Sequence, residues 1–360
     1  MAYSTIDDPS AHFQTAFYTG NATQRNITND GNSDLQPDWV WIKCVSAVES
    51  HMWYDSSRGV TKDLRSGGTA AENTNAQGLQ AFNSDGFQLG TLQNVNFDTK
   101  TLVAWQWKAN GGTLTTNDAS ATSVGTHDSQ YQANTTAGFS IVTWTGNAEQ
   151  ETLAHGLGAT PDMIWIKNRA DSEGWWVGSA SAGSISGGKY LLLHNDNALA
   201  TNSTSFVNQD PTSTVFRVGG SNSTADNAIN GNSDNMIAYC FTSIKGYSKI
   251  GSYTGNGRSD GAFVYTGFKP AWLLIKRTDS STSWRVFDSK RDTHNVVKSR
   301  LFPDVTDAAN TSQNTLDFLS NGFRFVSTNS GSNASGGTYL YMAFAEHPFV
   351  SSGGVPVTAR

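Results

Sequence analysis

The clearest shortage in this sequence is of charged side chains. Only 15% of its 360 residues are Asp, Glu, Lys or Arg, against about 25% in an average soluble protein. This low charge content excludes a coiled coil, a long helical bundle and a solvated acidic tail. The 30 acidic and 24 basic residues give a net charge of -6, and no run of basic residues occurs. We therefore expect no nucleic-acid partner, because phosphates are bound through clustered Lys and Arg.

Long apolar runs are missing as well. No stretch approaches the roughly 18 consecutive apolar residues that cross a bilayer, so no membrane insertion is expected. Residues 1–13 lack a basic start followed by an apolar stretch of about 7–15 residues. We therefore expect no secretory signal, and a protein that is made in a cytoplasm.

Cysteine is nearly absent. Cys44 and Cys240 lie in apolar, strand-like segments without CxxC or Cys/His spacing. This context favours two free buried thiols, with a disulfide between them as the alternative.

Recognisable catalytic motifs are also absent. The seven histidines include no HxH or HxxxH pair, so a metal site with closely spaced ligands has no support. The sequence has no G-x-S-x-G elbow and no phosphate-binding glycine loop. The six glutamates offer no clear acid and base pair, although a glycosidase needs only two carboxylates that folding brings together. We expect a protein that is not an enzyme and has no cofactor.

One loop partly resembles a calcium-binding loop. Residues 30–34, Asp-Gly-Asn-Ser-Asp, place oxygen-bearing side chains at alternate positions. Leu35 stands where such a loop requires glycine, and no glutamate follows at its twelfth position. An ordinary turn capped by Asx side chains is the simpler interpretation, and no metal site is expected.

The most informative pattern is one that occurs three times. The heptapeptide Pro-Asp-Trp-Val-Trp-Ile-Lys at residues 37–43 recurs in altered form at 161–167 and 270–276. An aromatic-Thr-Gly-Asn marker precedes each copy. An aromatic-rich segment, a phenylalanine segment and an alanine beside aromatics follow each copy in the same order, the alanines being Ala104, Ala238 and Ala343. Five ordered markers in three copies indicate tandem repeats.

The markers also suggest boundaries within the chain. We expect the following units: an N-terminal lead at 1–12, repeats at 13–136, 137–244 and 245–349, and a C-terminal tail at 350–360. The stretches between markers are rich in Gly, Ser, Thr and Asn, which is typical of turns and surface loops. The sequence leaves open whether the repeats are independent domains or pack into one body.

The marker segments have the character of strands. They are short, rich in β-branched and aromatic residues, and bounded by Gly, Asn, Asp and Ser. About six to eight such segments per copy predict an all-β protein of three tandem, related antiparallel β-sandwiches, lectin-like or jelly-roll-like in type. In the heptapeptide, Trp39 and Trp41 alternate with Val40 and Ile42, so both faces are apolar. This predicts a central strand that is covered on both sides.

Tryptophan supplies the candidate ligand-binding residues. An exposed aromatic ring beside Asn or Asp can hold a sugar, because the ring face stacks while polar groups orient the ligand. The candidates are Trp53, Trp107, Trp175 and Trp284. The alternative is that these rings, which recur at matched positions, build the core of each copy.

The sequence also resembles a known family. Segments 246–257, 263–272 and 341–349 are similar to a repeat domain of tail-fibre-like and other virion proteins of bacteriophages, many of them marine. His-Gly-Leu-Gly at 155–158 resembles the same family in the middle copy, whereas the first copy has Asp-Leu-Gln at 34–36. The resemblance implies a non-enzymatic component of the virion, and it implies no particular binding residues.

Three functions are compatible with these patterns. The favoured hypothesis is a tail-fibre or tail-tip adhesin that contacts a host surface glycan. The main alternative is a capsid decoration or head-fibre protein that binds the capsid lattice, and a glycan depolymerase is the third. We expect other virion proteins and a host glycan as partners, and a homo-oligomer. Tandem copies also suit such a role, because repeated weak contacts add up to useful avidity.

Overall fold

The computed structural model describes residues 4–202, 209–219 and 226–356. Strands account for 41% of the protein and helices for 6%, and the strand pairs are antiparallel, which confirms the predicted all-β class. Within the described ranges, no helix is long and apolar enough to span a membrane. Residues 1–3 of the expected lead and 357–360 of the expected tail lie outside the described residues.

The first segment of the chain follows a 3₁₀ turn at Pro9–Ala11. It forms nine strands and one short helix: β1 (Phe13–Thr19), β2 (Arg25–Ile27), β3 (Trp39–Cys44), β4 (Met52–Asp55), β5 (Lys62–Arg65), β6 (Asn73–Thr74), β7 (Leu79–Phe82), β8 (Phe87–Leu89), α1 (Gln93–Asn96) and β9 (Thr101–Trp107). The larger sheet has the order β1-β9-β3-β4-β5-β6, and the smaller has the order β2-β8-β7. Apolar side chains from both sheets form one cluster between them.

The second segment forms ten strands and two short helices. These are β10 (Thr115–Asn117), α2 (Ala119–Thr122), β11 (Ser129–Asn134), β12 (Phe139–Thr145), β13 (Glu151–Ala154), β14 (Met163–Asn168), β15 (Trp176–Ser179), β16 (Lys189–Leu192), β17 (Ala200–Thr201), β18 (Val215–Val218), α3 (Asp226–Asn230) and β19 (Asn235–Phe241). The larger sheet has the order β10-β11-β12-β19-β14-β15-β16-β17, and β13 pairs with β18 in the smaller one.

The third segment forms seven strands and one short helix. These are β20 (Ser248–Thr254), β21 (Phe263–Tyr265), β22 (Phe268–Arg277), β23 (Arg285–Asp288), β24 (Leu316–Leu319), β25 (Gly322–Phe325), α4 (Ser330–Asn333) and β26 (Thr338–Pro348). The sheet orders are β20-β26-β22-β23 and β21-β25-β24.

The same strand order occurs in the larger sheet of every segment. It reads β1-β9-β3-β4 in the first, β12-β19-β14-β15 in the second and β20-β26-β22-β23 in the third. The heptapeptide strand lies inside the sheet each time, and all residues of β3 and β14 are buried. In β3, Trp39 and Trp41 face one core while Val40 and Ile42 face another. The prediction of a central strand covered on both sides is confirmed.

The expected boundary at residue 136 is wrong. Strand β11 precedes it but pairs along β12, from Gln130 opposite Thr143 to Asn134 opposite Phe139. The boundary therefore falls inside a hairpin of the second segment. Gly138 in this turn has φ 67°, a conformation that favours glycine, and a Cβ there would lie 2.3 Å from the Thr242 carbonyl oxygen.

The alanine marker of the third segment is displaced by two residues. Ala104 and Ala238 lie opposite the heptapeptide isoleucines Ile42 and Ile166, whereas Tyr341 takes this place opposite Ile275. A shift of two residues keeps every side chain on the same face of a strand, so the alternation of apolar residues cannot reveal it.

A single aromatic core joins the three segments. It contains nine of the eleven tryptophans: Trp39, Trp41, Trp53, Trp105, Trp107, Trp165, Trp175, Trp272 and Trp284. Ring centroids of different segments approach closely, with Trp53 and Trp175 4.4 Å apart and Trp107 and Trp272 5.5 Å apart. The larger sheets pack their inner faces around this core, so the segments form one body.

Candidate functional site

The four predicted sugar-binding tryptophans all lie in the shared core. Trp53 and Trp175 are 0% exposed, and Trp107 and Trp284 are 1% exposed. The prediction that these rings are exposed is wrong, because all four pack into the core that the three segments share. The structural alternative describes them correctly, and they offer no ring face to a glycan.

The cysteines are free and buried as predicted, whereas the acidic loop is held by residues outside it and not by its own Asx side chains. Cys44 and Cys240 are free and buried, and burial raises the pKa of the Cys240 thiol. In the loop, Asp30 pairs with Lys290 at 2.6 Å, and the Gly31 N–H donates to the Gln14 side-chain oxygen. The described residues contain no cluster of three potential metal ligands.

Equivalent lysines join the segments at three junctions. The lysine that ends each heptapeptide donates through Nζ to a backbone carbonyl of another segment: Lys43 to Thr306 at 3.2 Å, Lys167 to Thr69 at 3.1 Å and Lys276 to Asp196 at 3.0 Å. The first segment thus reaches the third, the second reaches the first, and the third reaches the second. Burial lowers the pKa of each lysine to about 8.

Backbone and ring N–H groups repeat the same cycle. At each junction a backbone N–H donates back in the opposite direction, three residues after the carbonyl that accepts from the lysine. The three bonds, each of 2.8 Å, run from Ala309 to Val45, from Glu72 to Arg169 and from Leu199 to Thr278. At two junctions an indole N–H also crosses. Trp175 donates to the carbonyl of Arg65, and Trp284 donates to the carbonyl of Leu192, each at 2.8 Å. Arg65 and Leu192 each lie four residues before the carbonyl that accepts from the lysine. His51 holds the corresponding place before β4. The three junctions are therefore equivalent, and they close the segments into a ring.

The junctions differ in their buried side chains. At the first–second junction, the Tyr239 hydroxyl donates to Asp55 at 2.6 Å, and Arg58 pairs with the same carboxylate at 2.5 Å. Arg58 also pairs with Glu72, which in turn pairs with Arg169. Burial opposes the charge on Arg58, but the carboxylates of Asp55 and Glu72 outweigh it and raise its pKa.

The third–first junction keeps part of this network. The Trp105 indole N–H donates to Asp288 at 3.1 Å, and Arg291 pairs with Asp288 at 2.5 Å. At the second–third junction, the positions of Asp55 and Arg58 are taken by Ser179 and Ala182. Strand pairing places Met342 where the second segment has Tyr239.

Two cavities open beside the junctions. One of about 550 Å³ lies at the first–second junction, and its lining includes Ser57, Trp144, Arg169 and Asn235. Another of about 500 Å³ lies at the third–first junction, where it meets strand β1. Their hydroxyl, amide and paired ionic groups suit polar partners that form hydrogen bonds.

Sequence reasoning missed both the junctions and the cavities. The signal for the junctions was present, since Lys43, Lys167 and Lys276 end all three copies of the heptapeptide. A lysine at the end of an apolar strand reads as an exposed residue, because lysine is almost never fully buried without partners. Its partners here are carbonyls of distant loops, which no local pattern identifies.

Comparison with known families gives one match over most of the chain. Residues 8–348 match the model of a domain of unknown function, DUF7483. No curated protein matches the sequence. The matched range includes all three segments. The chain belongs to the DUF7483 family.

Proposed function

We propose that this protein is a non-enzymatic structural protein of a bacteriophage particle, and that it decorates the particle surface at positions of threefold symmetry. The observation that carries this proposal is the closed ring of three segments with equivalent junctions. Such a ring presents related surfaces three times around one axis. A partner surface with threefold symmetry can then form three related contacts at once.

The benefit of three contacts is quantitative. One contact with a dissociation constant of about 1 mM contributes only about 4 kcal/mol. Contacts that are rigidly linked can exceed the affinity of a single one by about 10²–10⁴-fold. One chain thereby supplies what three separate subunits of a decoration protein would supply.

The construction of the core supports a long-lived particle component. The three segments share one aromatic core, and their junction lysines bind carbonyl groups of the backbone. The resemblance of residues 137–349 to phage virion repeats supplies the biological setting of the proposal.

Cryo-electron microscopy of purified particles tests this function. We expect density for one chain at each occupied threefold position of the head lattice, with its three segments facing three neighbouring capsid subunits. Density that is confined to the tail would contradict the decoration function.

The cavity at the first–second junction favours an adhesin as the second candidate. Its polar lining, with Asn235 at an exposed position, could hold a neutral glycan. An adhesin predicts that the purified protein binds host cells and that Asn235→Ala weakens binding at least tenfold without changing the melting temperature. Equal binding by both proteins would exclude this cavity as the glycan site.

A further inference from the structure

Strand β1 lies at an open edge of its sheet. On one side it pairs with β9, and the backbone bonds from Lys108 to His12 and from Gly20 to Lys100 delimit this pairing. The direction of hydrogen bonding alternates along an antiparallel strand. The even-numbered residues between His12 and Gly20 therefore bond to β9, and the odd-numbered ones direct their main-chain groups to the opposite side.

Four residues have such outward groups: Phe13, Thr15, Phe17 and Thr19, whose carbonyl already accepts from the Arg25 side chain at 2.8 Å. The groups of Phe13, Thr15 and Phe17 are left for a partner. Among the hydrogen bonds of the described residues, none pairs these main-chain groups with another strand. Natural proteins usually block such an edge with lysine, proline or a covering element, because it can pair with another chain. Strand β1 contains neither lysine nor proline.

Two cavities follow this edge. Phe13–Thr15 line the cavity of about 500 Å³, and Ala16–Tyr18 line a second one of about 140 Å³. Asp30 lines both, so the cavities are adjacent. Six residues of a strand span about 20 Å, which is enough for an added strand of five or six residues.

The second segment has a strand in the corresponding place. There β11 covers the edge of β12, which begins the shared strand order β12-β19-β14-β15 as β1 begins β1-β9-β3-β4. The Gln132 side chain of β11 extends into the first–second junction. It donates to the hydroxyls of Ser56 and Ser57 at 2.8 and 2.6 Å, and its oxygen accepts from the Gly112 N–H.

The cavity at β1 occupies the equivalent position. Gln132 lies opposite Ile141, which corresponds to Thr15 because each stands two residues after the phenylalanine that begins its strand. Ser289 and Lys290 follow Asp288 as Ser56 and Ser57 follow Asp55, and both line the cavity. The hydroxyl oxygen of Thr15 is buried there without a hydrogen-bond partner.

The charges of this cavity indicate the character of its occupant. Lys269 pairs with Glu346 at 2.8 Å, and Lys290 pairs with Asp30 at 2.6 Å. These four charges pair with one another, and the other ionisable residues of the lining are Asp8, which accepts from Ser10 and Ser33, and the histidines His294 and His347. A charged segment would therefore gain little compensation for its desolvation. Strand β11, which fills the equivalent edge, contains no charged residue.

We propose that the edge of β1 binds an extended, uncharged segment of a partner protein, which joins the sheet as an antiparallel strand with an amide side chain opposite Thr15. Main-chain hydrogen bonds supply affinity, and the pocket for the amide supplies specificity. This site goes beyond the proposed function, because it does not depend on where the protein sits.

A peptide with the sequence of residues 129–134 is the appropriate probe. It is acetylated and amidated, so that its ends carry no charge, and it is titrated into the full-length protein. We expect saturable binding with a dissociation constant below about 1 mM, together with at least tenfold slower hydrogen exchange at the amides of Thr15 and Phe17. Replacing the second glutamine of the peptide by leucine should weaken binding several-fold.

Two variants at one position separate the main chain from the side chain. Thr15→Pro removes an outward N–H that β9 does not use, a change that edge strands tolerate, and it should weaken binding at least tenfold. Thr15→Val keeps the N–H and serves as the matched control, with binding within about threefold of the parent. If circular dichroism shows that Thr15→Pro is unfolded, the exchange rates and the glutamine-to-leucine peptide decide the test.

Three results would overturn the proposal. The first is no saturable binding at millimolar peptide with unchanged exchange at Thr15 and Phe17. The second is binding that a folded Thr15→Pro variant retains in full. The third is a concentration-dependent dimer of the protein alone that protects the same two amides, since the edge would then belong to a second copy of the chain.

Discussion

The first–second and second–third junctions share one backbone design but differ in side chains. Both have the lysine–carbonyl bond, the returning N–H and the indole bond. The first–second junction buries Asp55 and Arg58 with Tyr239. The second–third junction has Ser179, Ala182 and Met342 at the corresponding positions. The comparison teaches that backbone bonds fix how the segments meet. The other buried groups can vary, provided that each polar group brings its own partner.

The largest loss of stability is expected when the buried set of Asp55, Arg58 and Tyr239 loses one member. Asp55→Ala leaves Arg58 buried without its closest carboxylate, so we expect a loss of about 3–5 kcal/mol in the free energy of unfolding. Urea denaturation of the full chain measures it.

A combined variant sharpens this prediction. Asp55→Ser, Arg58→Ala and Tyr239→Met together install the side chains of the second–third junction. A buried ion pair that is replaced as a set by apolar groups often costs little, so this variant should be more stable than Asp55→Ala alone. If it is equally unstable, the two junctions are not interchangeable.

The shared lysines should respond alike at all three junctions. Lys43→Met, Lys167→Met and Lys276→Met each remove the donor to several carbonyls, with an expected loss of about 1–3 kcal/mol. Thermal and urea unfolding of the three variants provide the measurement. Losses that differ by more than about 2 kcal/mol would show that the junctions are not energetically equivalent.

The third–first junction contains a fully buried histidine, so it should be sensitive to acid. His51 stands where the other junctions have Trp175 and Trp284, and its Nδ1 accepts the Trp41 indole N–H at 2.9 Å. Burial, with Lys43 nearby, lowers the pKa of His51 well below its ordinary value. Below about pH 6.5 the unfolded chain binds a proton that the folded chain excludes, so stability falls as the pH falls.

The variant His51→Gln isolates this contribution. The free energy of unfolding of the parent should decline by up to about 1.4 kcal/mol more per pH unit between pH 6 and 5 than that of the variant. Other histidines add to the decline in both proteins, among them His155, whose pKa burial lowers to about 4. Identical slopes for parent and variant would refute a role for His51.

The smallest loss of stability is expected at Ser179, in the second–third junction, whose described residues lack the buried Asp–Arg pair. Ser179 donates one hydrogen bond to the Asp162 carbonyl at 2.9 Å, so Ser179→Ala should cost about 1 kcal/mol. Calorimetry can resolve this from the much larger effect at Asp55, its counterpart in the first segment. Similar losses at the two positions would contradict the comparison.

The acidic loop and the cysteines mark how far site prediction could go from sequence. The free thiols of Cys44 and Cys240 follow from neighbouring residues and were predicted. The bend at residues 31–33 instead depends on Gln14 and Ser10, which lie outside the loop. The cavities could not be predicted, because Lys290 and Asp30 are 260 positions apart in the chain. The proposed role of Thr15 in binding a partner strand rests on the open edge of β1, which among the described strands has no neighbour equivalent to β11. An open edge is a property of the assembled sheet.

The strand-forming segments and the two faces of each strand are encoded by local sequence. Alternation of Trp39 and Trp41 with Val40 and Ile42 is a local property, because successive side chains of a strand point to opposite sides. Tertiary packing places four predicted ligand-binding rings in the shared core: Trp53, Trp107, Trp175 and Trp284. It also adds β11 to the larger sheet of the second segment and lets the lysines bridge segments. The physical reason is that a pleated strand defines which residues share a face, whereas burial of that face depends on what packs against it.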